Sequence, residues 1–431
     1  MTPRCLIVAA LVALPVSAMA QHRDTLTLGT LQASARRHDP RAAEADLLTA
    51  QSRLRRHSLD AEQLPVLAVD GQAQYQSEVA HIAVAIPGLS LPTPRRDTYD
   101  ARASATQRLI DPSRAPREAL ETAQLGESQA RLRVTLQNTR QAVNDAFFAA
   151  VRAEAQMGEL EPTLADLESQ VRGAQVRVRG GTALESEARM LEAELLRRRQ
   201  TMAELQSSRR AALATLQDLT GVSAQSSGVL PVPELSREVV RARAGLDSLR
   251  GRAEYEQFAA SRETLQRQEG VRAAQGKPRV SAFGRLGYGR PGLNPLGDRF
   301  NTYWLGGIQL QWTPWTWGAT NNDREVLALQ RQIVSAEEQS FTETLRRSVN
   351  ADLAAIDRLS ATLVMDDEIV ALREGIVSET RHRYTEQVVT AAEFIDRETE
   401  LLSARAARAS HRVELAQSQT RFLTTMGIEV R

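Results

Sequence analysis

Two carboxylates, Glu393 and Asp396, stand three residues apart in a Glu- and Ala-rich stretch, the spacing that sets both on one side of a helix. Paired carboxylates can do acid–base work, hold a cation, or form a plain solvated face. On helices the salt-bridged, solvated face is the commonest of the three. Other chemistry is sparse. The histidines at 22, 38, 57, 81, 382 and 411 have no metal-ligand spacing. The only cysteine, Cys5, lies in a segment expected to be cleaved away. That excludes disulfides, thiolate metal sites and cysteine nucleophiles. The glycine cluster Gly284 to Gly289 lacks the Lys-Ser/Thr ending of a phosphate loop, and no Gly-x-Ser-x-Gly elbow occurs. Neither an enzyme nor a cofactor is expected.

The segments that would carry those carboxylates begin with an exported N-terminus. Residues 1–20 read as a signal peptide: Arg4 supplies the charge, Leu6 to Pro15 the apolar run, and Ala18-Met19-Ala20 the cleavage site. The mature chain is expected to start near Gln21. Its net charge is close to zero, its basic residues are arginines apart from Lys277, and both signs are interspersed. No one-sign stripe of the kind nucleic acids need is present. No later run is apolar enough for a membrane helix. Export without a helical span leaves a soluble periplasmic protein, a secreted protein, or a β-barrel protein of an outer membrane.

Four segments alternate with period two: 66–75, 98–109, 280–288 and 302–312. Leu67, Val69, Ala73 and Tyr75 fall on one side of the first, and Trp304, Ile308, Leu310 and Trp312 on one side of the last. Each run has the length of a membrane-spanning strand. Aromatic residues crowd their ends: Tyr75, Tyr99, Phe300, Tyr303, Trp304, Trp312, Trp315 and Trp317. That crowding favours lipid-facing strands with interfacial girdles over a half-buried soluble sheet. Pro/Gly-rich loops, 76–97 and 289–300, join the strands in pairs.

Most of the rest is expected to be helical. Helices are predicted over 27–61, over 112–219 with a kink at Pro162 and a break at Gly180-Gly181, over 234–275, and from Ala319 onward, where no proline occurs. A helix over 319–384 would be about 100 Å long at 1.5 Å per residue, too long to stand alone. The chain also repeats itself. At one constant offset Glu187, Glu192, Glu194, Leu195 and Gly221 fall on Glu393, Glu398, Glu400, Leu401 and Gly427. Two structural repeats are expected, 21–221 and 234–431, separated by the linker 222–233. Four strands cannot close a barrel, and an open sheet edge cannot exist in lipid. If the strands span a membrane the chain must oligomerise, and three copies give about twelve strands, within the range of closed barrels.

This organisation resembles the TolC family of outer-membrane efflux proteins, over nearly the whole mature chain. The resemblance is carried by the repeated break-and-helix stretches Gly181 to Leu195 and Tyr384 to Leu401. Further support comes from the strand-to-helix passages Leu109-Ile110-Asp111-Pro112 and Pro314-Trp315-Thr316-Trp317-Gly318, and from the helix ends Leu219-Thr220-Gly221 and Thr425-Met426-Gly427. It implies a mainly α fold with a small β part: a homotrimer in which twelve strands form a transmembrane β-barrel and twelve helices a long α-helical barrel. It implies an outer-membrane location, lipid around Tyr75, Tyr99, Trp304, Trp312, Trp315 and Trp317, and no nucleic-acid partner. It implies partnership with a periplasmic adaptor and an inner-membrane pump, most simply of the RND type. By similarity, the adaptor-contacting tips are Gly180, Gly181 and Thr182, and Gln387, Val388 and Val389. The periplasmic gate is matched by Glu393 and Asp396, and the network that holds the tip shut by Glu187 and Tyr384. Two departures are expected to matter. The usual glycine of the second tip is Gln387, so that turn is expected to differ in shape. A basic partner in that network is Val389 here, so that salt bridge is absent or replaced. The implied function is passive exit of drugs or metal ions, with type I protein secretion or a soluble periplasmic adaptor as alternatives.

Overall fold

The computed structural model describes residues 26–79, 94–223, 230–245, 251–294 and 297–428. The expected signal peptide, most of the first Pro/Gly-rich loop and part of the linker lie outside them. The chain is mainly helical with one small antiparallel sheet. In chain order it comprises α1 (Leu28–His38), α2 (Glu44–Ala61), β1 (Val66–Tyr75), β2 (Asp97–Ile110), α3 (Arg114–Arg179), α4 (Glu185–Thr220), α5 (Ser236–Arg243), α6 (Ala253–Gln275), β3 (Arg279–Arg290), β4 (Asn301–Gln311), α7 (Ala319–Thr385) and α8 (Ala391–Thr425).

Local chemistry sets the breaks. The helix expected over 27–61 is interrupted at Asp39, which is extended at φ −60°, ψ 118°. A residue before proline avoids the helical region, and the Asp39 carboxylate instead accepts from the Arg41 amide at 3.0 Å to start a short 3₁₀ turn over Pro40–Ala43. The segment expected as one helix over 234–275 forms two, α5 and α6. Pro162 leaves α3 unbroken over its 66 residues; the Thr163 hydroxyl donates to the Leu160 carbonyl at 2.8 Å beside the amide the proline lacks.

The sheet runs in the order β1-β2-β3-β4, each neighbour antiparallel. On its helical side, α2 packs on α3, α3 on α6 and α6 on α7. Farther from the sheet the order becomes α4, α3, α8, α7. The main core lies along this second layer. Phe147 and Phe148 of α3, Leu213 and Leu216 of α4, and Phe422 and Leu423 of α8 are fully buried, with Leu31 of α1 against them. Each such side chain contributes about 1.5–3 kcal/mol on burial. A second cluster, Leu167, Ala174, Leu191 and Ala391, packs close to the far turns. Among the described residues no helix is long and apolar enough to cross a membrane.

Candidate functional site

The sheet has two chemically opposite faces, and the register aligns them across all four strands. Val69 pairs with Ala103, Ala103 with Leu286, and Leu286 with Trp304. One step along, Asp70 pairs with Arg102 on the other face. The apolar face therefore carries Leu67, Val69, Ala103, Leu286, Trp304 and Ile308, and the polar face Asp70, Gln72, Asp100, Arg102, Ser104 and Arg285. The apolar face has nothing packed on it: Val69 is 86% exposed and Trp304 78%. Large apolar side chains left open across a whole sheet mark a surface meant for lipid or a partner.

The aromatic residues sort to the two ends of that face. Toward the loops stand Tyr75 and Tyr99, where Phe300 stacks on Tyr288 and lies 6.2 Å from Tyr99; Trp304 sits farther in, in register with Val69. Arg290 sits over both Tyr99 and Phe300. Toward the helices stand Trp312, whose indole donates to the Gly276 carbonyl at 3.2 Å, and the exposed Trp315 and Trp317. Tyr303 departs from the expected girdle. It lies on the polar face, its ring over Gly287, and its hydroxyl donates to Asp100 at 2.7 Å. A Cβ at residue 287 would come within 2.3 Å of that ring, so only glycine fits beneath it.

At the far end the two helix hairpins turn back side by side. In the first turn the Thr182 amide donates to the Arg177 carbonyl at 2.9 Å and the Gly181 amide to Val178 at 3.0 Å. In the second, the Val388 amide donates to Arg383 at 2.8 Å and the Gln387 amide to Tyr384 at 3.1 Å. Both are the same helix-ending motif, with the residue after the cap left-handed: Gly181 at φ 71° and Gln387 at φ 60°. The second turn thus keeps the shape of the first although it lacks the glycine, contrary to the sequence expectation. The paired helix-end hydrogen bonds outweigh the steric cost at Gln387. Thr390 then caps α8, its hydroxyl accepting from the Glu393 amide at 3.3 Å.

Between the turns lies a groove of about 470 Å³ that reaches Thr182, Leu184, Met190, Val389 and Ala392. Its floor is a three-way contact. The Tyr384 hydroxyl donates to the Glu187 carboxylate at 2.5 Å, and Arg177 Nη2 donates to both, to Tyr384 at 2.8 Å and to Glu187 at 3.2 Å. The Tyr384 ring stacks on Phe394 at 5.0 Å with 9° between planes. Burial, reinforced by the Glu187 carboxylate, pushes the Tyr384 hydroxyl up to about 12. The family resemblance names Glu187 and Tyr384 for a tip network, and the two side chains touch here; it does not name Arg177. Its only signal is its position ten residues before Glu187, across the hairpin turn.

Deeper in the seam a partly buried ionic cluster joins all four helices. Arg198 of α4 donates to Glu194 at 2.8 Å and lies 3.6 Å from Glu398 of α8. Arg381 of α7 donates to Glu398 at 2.6 Å and to Asp166 of α3 at 2.5 Å. Burial raises the Glu398 carboxyl above its ordinary value despite Arg381. At Glu194 burial works the same way, but Arg197 and Arg198 outweigh it and hold the carboxyl low. Glu393 and Asp396 lie on the opposite, exposed side of α8 from the buried Phe394 and Glu398. Gly180, Gly181, Gln387 and Val388 are exposed at the turns. Among the described residues no acidic, histidine or cysteine group could hold a metal ion.

No protein-family model matches the chain, and no curated protein matches it. Solved structures do. The outer membrane protein VceC of Vibrio cholerae superposes with a TM-score of 0.69 at 16% identity, over 94% of this chain and 97% of that one. The CmeC outer membrane channel of Campylobacter jejuni gives 0.68 at 15% identity, over 99% and 94%. The open MtrE outer membrane channel of Neisseria gonorrhoeae gives 0.68 at 18% identity, over 94% and 89%. The chain has the fold of these outer-membrane channels, the fold that its sequence resemblance to the TolC family implies.

Proposed function

We propose that this chain is one subunit of a homotrimeric exit duct in an outer membrane, serving a tripartite efflux system. The observation that carries the reading is a sheet with one bare apolar face and two unpaired edges, continued by helices that have bare edges too. β1 and β4 are the open strands. Beside them α2 exposes Leu47 and Leu54, and α7 exposes Val326, Leu329 and Ile333. Farther down, α4 exposes Met190 and Leu196, and α7 exposes Met365, Ile369, Leu372 and Ile376 at alternating four- and three-residue steps. Leu372 is 70% exposed, which a lone subunit in water has no reason to leave so.

One rotation joins all these edges at once, β4 to β1, α7 to α2 and α7 to α4. Such a head-to-tail contact closes into a ring, and three copies give about twelve strands, enough for a barrel without edges. The apolar face then meets lipid and the polar face lines the pore. The chain divides into two repeats, 21–221 and 234–431. The turns at Gly180 to Thr182 and Gln387 to Val389 meet a periplasmic adaptor, and Glu393 and Asp396 form the gate. The duct catalyses nothing. Drugs or metal ions pass through it, driven by an inner-membrane pump of the RND type that biases the tip between closed and open states.

The test is single-channel recording of the purified mature protein in planar bilayers. Discrete, mostly closed, cation-preferring channels are expected. A monodisperse protein in detergent-free buffer that never inserts would overturn the reading.

A further inference from the structure

The polar face of the sheet is unevenly charged. Segments 66–110 and 279–311 hold eight arginines against five carboxylates, in a chain whose charges otherwise nearly balance. On that face the two strand carboxylates, Asp70 and Asp100, lie toward the loops, with Arg102 at 3.5 Å from the first and 3.6 Å from the second. The half toward the helices carries Arg285, Arg108 and Arg279 and no strand carboxylate. Arg285 pairs with Ser104 on β2 and Leu305 on β4, so strands of its own chain flank it on both sides. At the passage from sheet to helices a cavity of about 340 Å³ is lined by Arg108, Arg117 and Arg279, with Asp111 its one carboxylate. The Nε atoms of Arg117 and Arg279 are buried, and no described residue accepts from them. Asp111 accepts from the Ser113 hydroxyl at 2.6 Å and from Arg117 at 2.9 Å, and Glu62 accepts from Arg108 at 2.5 Å and from Arg117 at 2.8 Å. With Arg285 included, this half of the wall sets four guanidiniums against two carboxylates.

We infer that the helix-side half of the barrel lumen is an anion filter, and that the solutes it passes most readily are small organic anions rather than free metal cations. The inference rests on the duct reading above, which turns this face toward the pore. Rings of arginine favour anions as rings of carboxylates favour cations, and a concave wall of one sign concentrates its field. The surplus aspartate of the loop-side half does not cancel it. Arg102 and Arg108 are six residues apart on β2, about 20 Å along an extended strand, which is about twice the screening length at 0.1 M salt. The duct then holds two filters of opposite sign in series, the carboxylates Glu393 and Asp396 at the tip and the arginine wall in the membrane. At rest the acidic tip sets the preference; once it is open or neutral, the wall does.

The test is the reversal potential in a KCl gradient across planar bilayers. It is read in wild type, in Glu393→Gln/Asp396→Asn, and in that background carrying Arg285→Gln, Arg285→Glu or Arg285→Ser/Ser104→Arg. Trimer retention on unheated gels confirms assembly. With the tip neutralised, chloride is expected to permeate about sevenfold better than potassium at about 0.1 M salt, the ratio for a wall potential of about one kT, and the preference should fade near 1 M. Arg285→Gln halves the surplus charge and is expected to leave about threefold; Arg285→Glu removes the surplus and the preference with it. The exchange Arg285→Ser/Ser104→Arg keeps the charge at the same depth and is expected to restore the ratio. A role for Arg285 in packing on Phe283, whose ring centre lies 5.8 Å from its guanidinium, predicts no such recovery, and that result overturns the filter. A neutral-tip channel that prefers potassium, or a ratio unmoved by Arg285→Glu, overturns it too and leaves the duct standing. A protein that never inserts overturns the duct reading, and the filter falls with it. If Glu393→Gln/Asp396→Asn behaves as wild type, the carboxylate gate falls, and Arg285→Glu against wild type decides: no shift toward potassium overturns the filter. Should Arg285→Glu fail to assemble, Ser104→Arg alone adds a charge at that depth, and an unchanged chloride preference there overturns the filter. Sodium benzoate in place of KCl must give the same sign, and the opposite sign overturns the assignment to organic anions.

Discussion

The bare apolar face of the sheet makes a demand that can be measured. Val69 is the fourth of ten residues in β1, near mid-strand, and is 86% exposed on that face. Its neighbour Ala68 sits at the same depth but points to the polar face, opposite Ser104. Val69→Arg and Ala68→Arg add the same charge and the same bulk one residue apart. If the apolar face meets lipid, arginine at residue 69 costs about 2–4 kcal/mol per subunit near the bilayer midplane, and the same arginine in a water-filled pore costs close to nothing. Per subunit that is roughly a 30- to 1,000-fold loss in the folding equilibrium, and in a trimer the losses multiply. The assay is refolding from urea into lipid vesicles, read as the fraction of heat-modifiable trimer on gels. Wild type and Ala68→Arg should insert alike, and Val69→Arg should fail or need a far thinner bilayer. Equal insertion by both arginine variants would refute the assignment of the faces. Equal failure would mean that β1 is buried on both sides, which the duct excludes.

Three further outcomes follow from the geometry. Gln387→Gly should relieve the left-handed strain of the second turn, worth about 1 kcal/mol, and slow hydrogen exchange of the Gln387 and Val388 amides about fivefold; unchanged exchange would mean that the turn is unstrained. Asp39, held down to about 2 by the Arg41 guanidinium and the Thr139 hydroxyl, has a folded value below its unfolded one, so its contribution is complete above about pH 4 and disappears as the pH falls through 2. Acid titration of unfolding should therefore lose that step in Asp39→Asn, and an identical acid limb in the variant would remove the assignment. Neutralising Glu393 and Asp396 together should raise resting conductance or weaken cation preference in bilayers, and an unchanged current–voltage relation at asymmetric salt would exclude them as the gate.

What the sequence made legible was whatever obeys a period. The alternation in 66–75 and 302–312 survives because a single-layer sheet has two uniform faces, so each side chain reports its own environment. The same alternation already set Tyr303 opposite Trp304; grouping it with the girdle let aromatic crowding override the period, and Asp100 is the partner that explains its position. The helix break at Asp39 was available from the following proline alone. Arg177 was not legible. It is one arginine in a chain rich in them, and its partner Tyr384 lies 207 residues away. Gln387 misleads for a different reason: a preference for glycine is a local energy of about 1 kcal/mol, and two backbone hydrogen bonds closing the helix can exceed it.

The distribution of apolar and polar contacts along the helices says where the molecule can move. In the middle, α3, α4 and α8 are held by fully buried Phe147, Phe148, Leu213, Phe422 and Leu423, each resisting exposure by about 1.5–3 kcal/mol. Such contacts have no alternative partner in water. Toward the tip the cross-hairpin ties become Arg198 to Glu398, Arg381 to Asp166 and Arg177 to Tyr384. Contacts of this kind match a buried apolar side chain in size, about 1.5–3 kcal/mol net when charged, and differ in that water or another ion can replace either partner once the seam parts. A chain built to stay closed would continue the phenylalanine core to its end. This one keeps only a smaller, aliphatic cluster there, Leu167, Ala174, Leu191 and Ala391, interleaved with exchangeable ion pairs, with Tyr384 on Phe394 as the final aromatic contact. On the duct reading, an adaptor that supplies substitute partners at the tip parts it there while the phenylalanine layer keeps each subunit's own helices together.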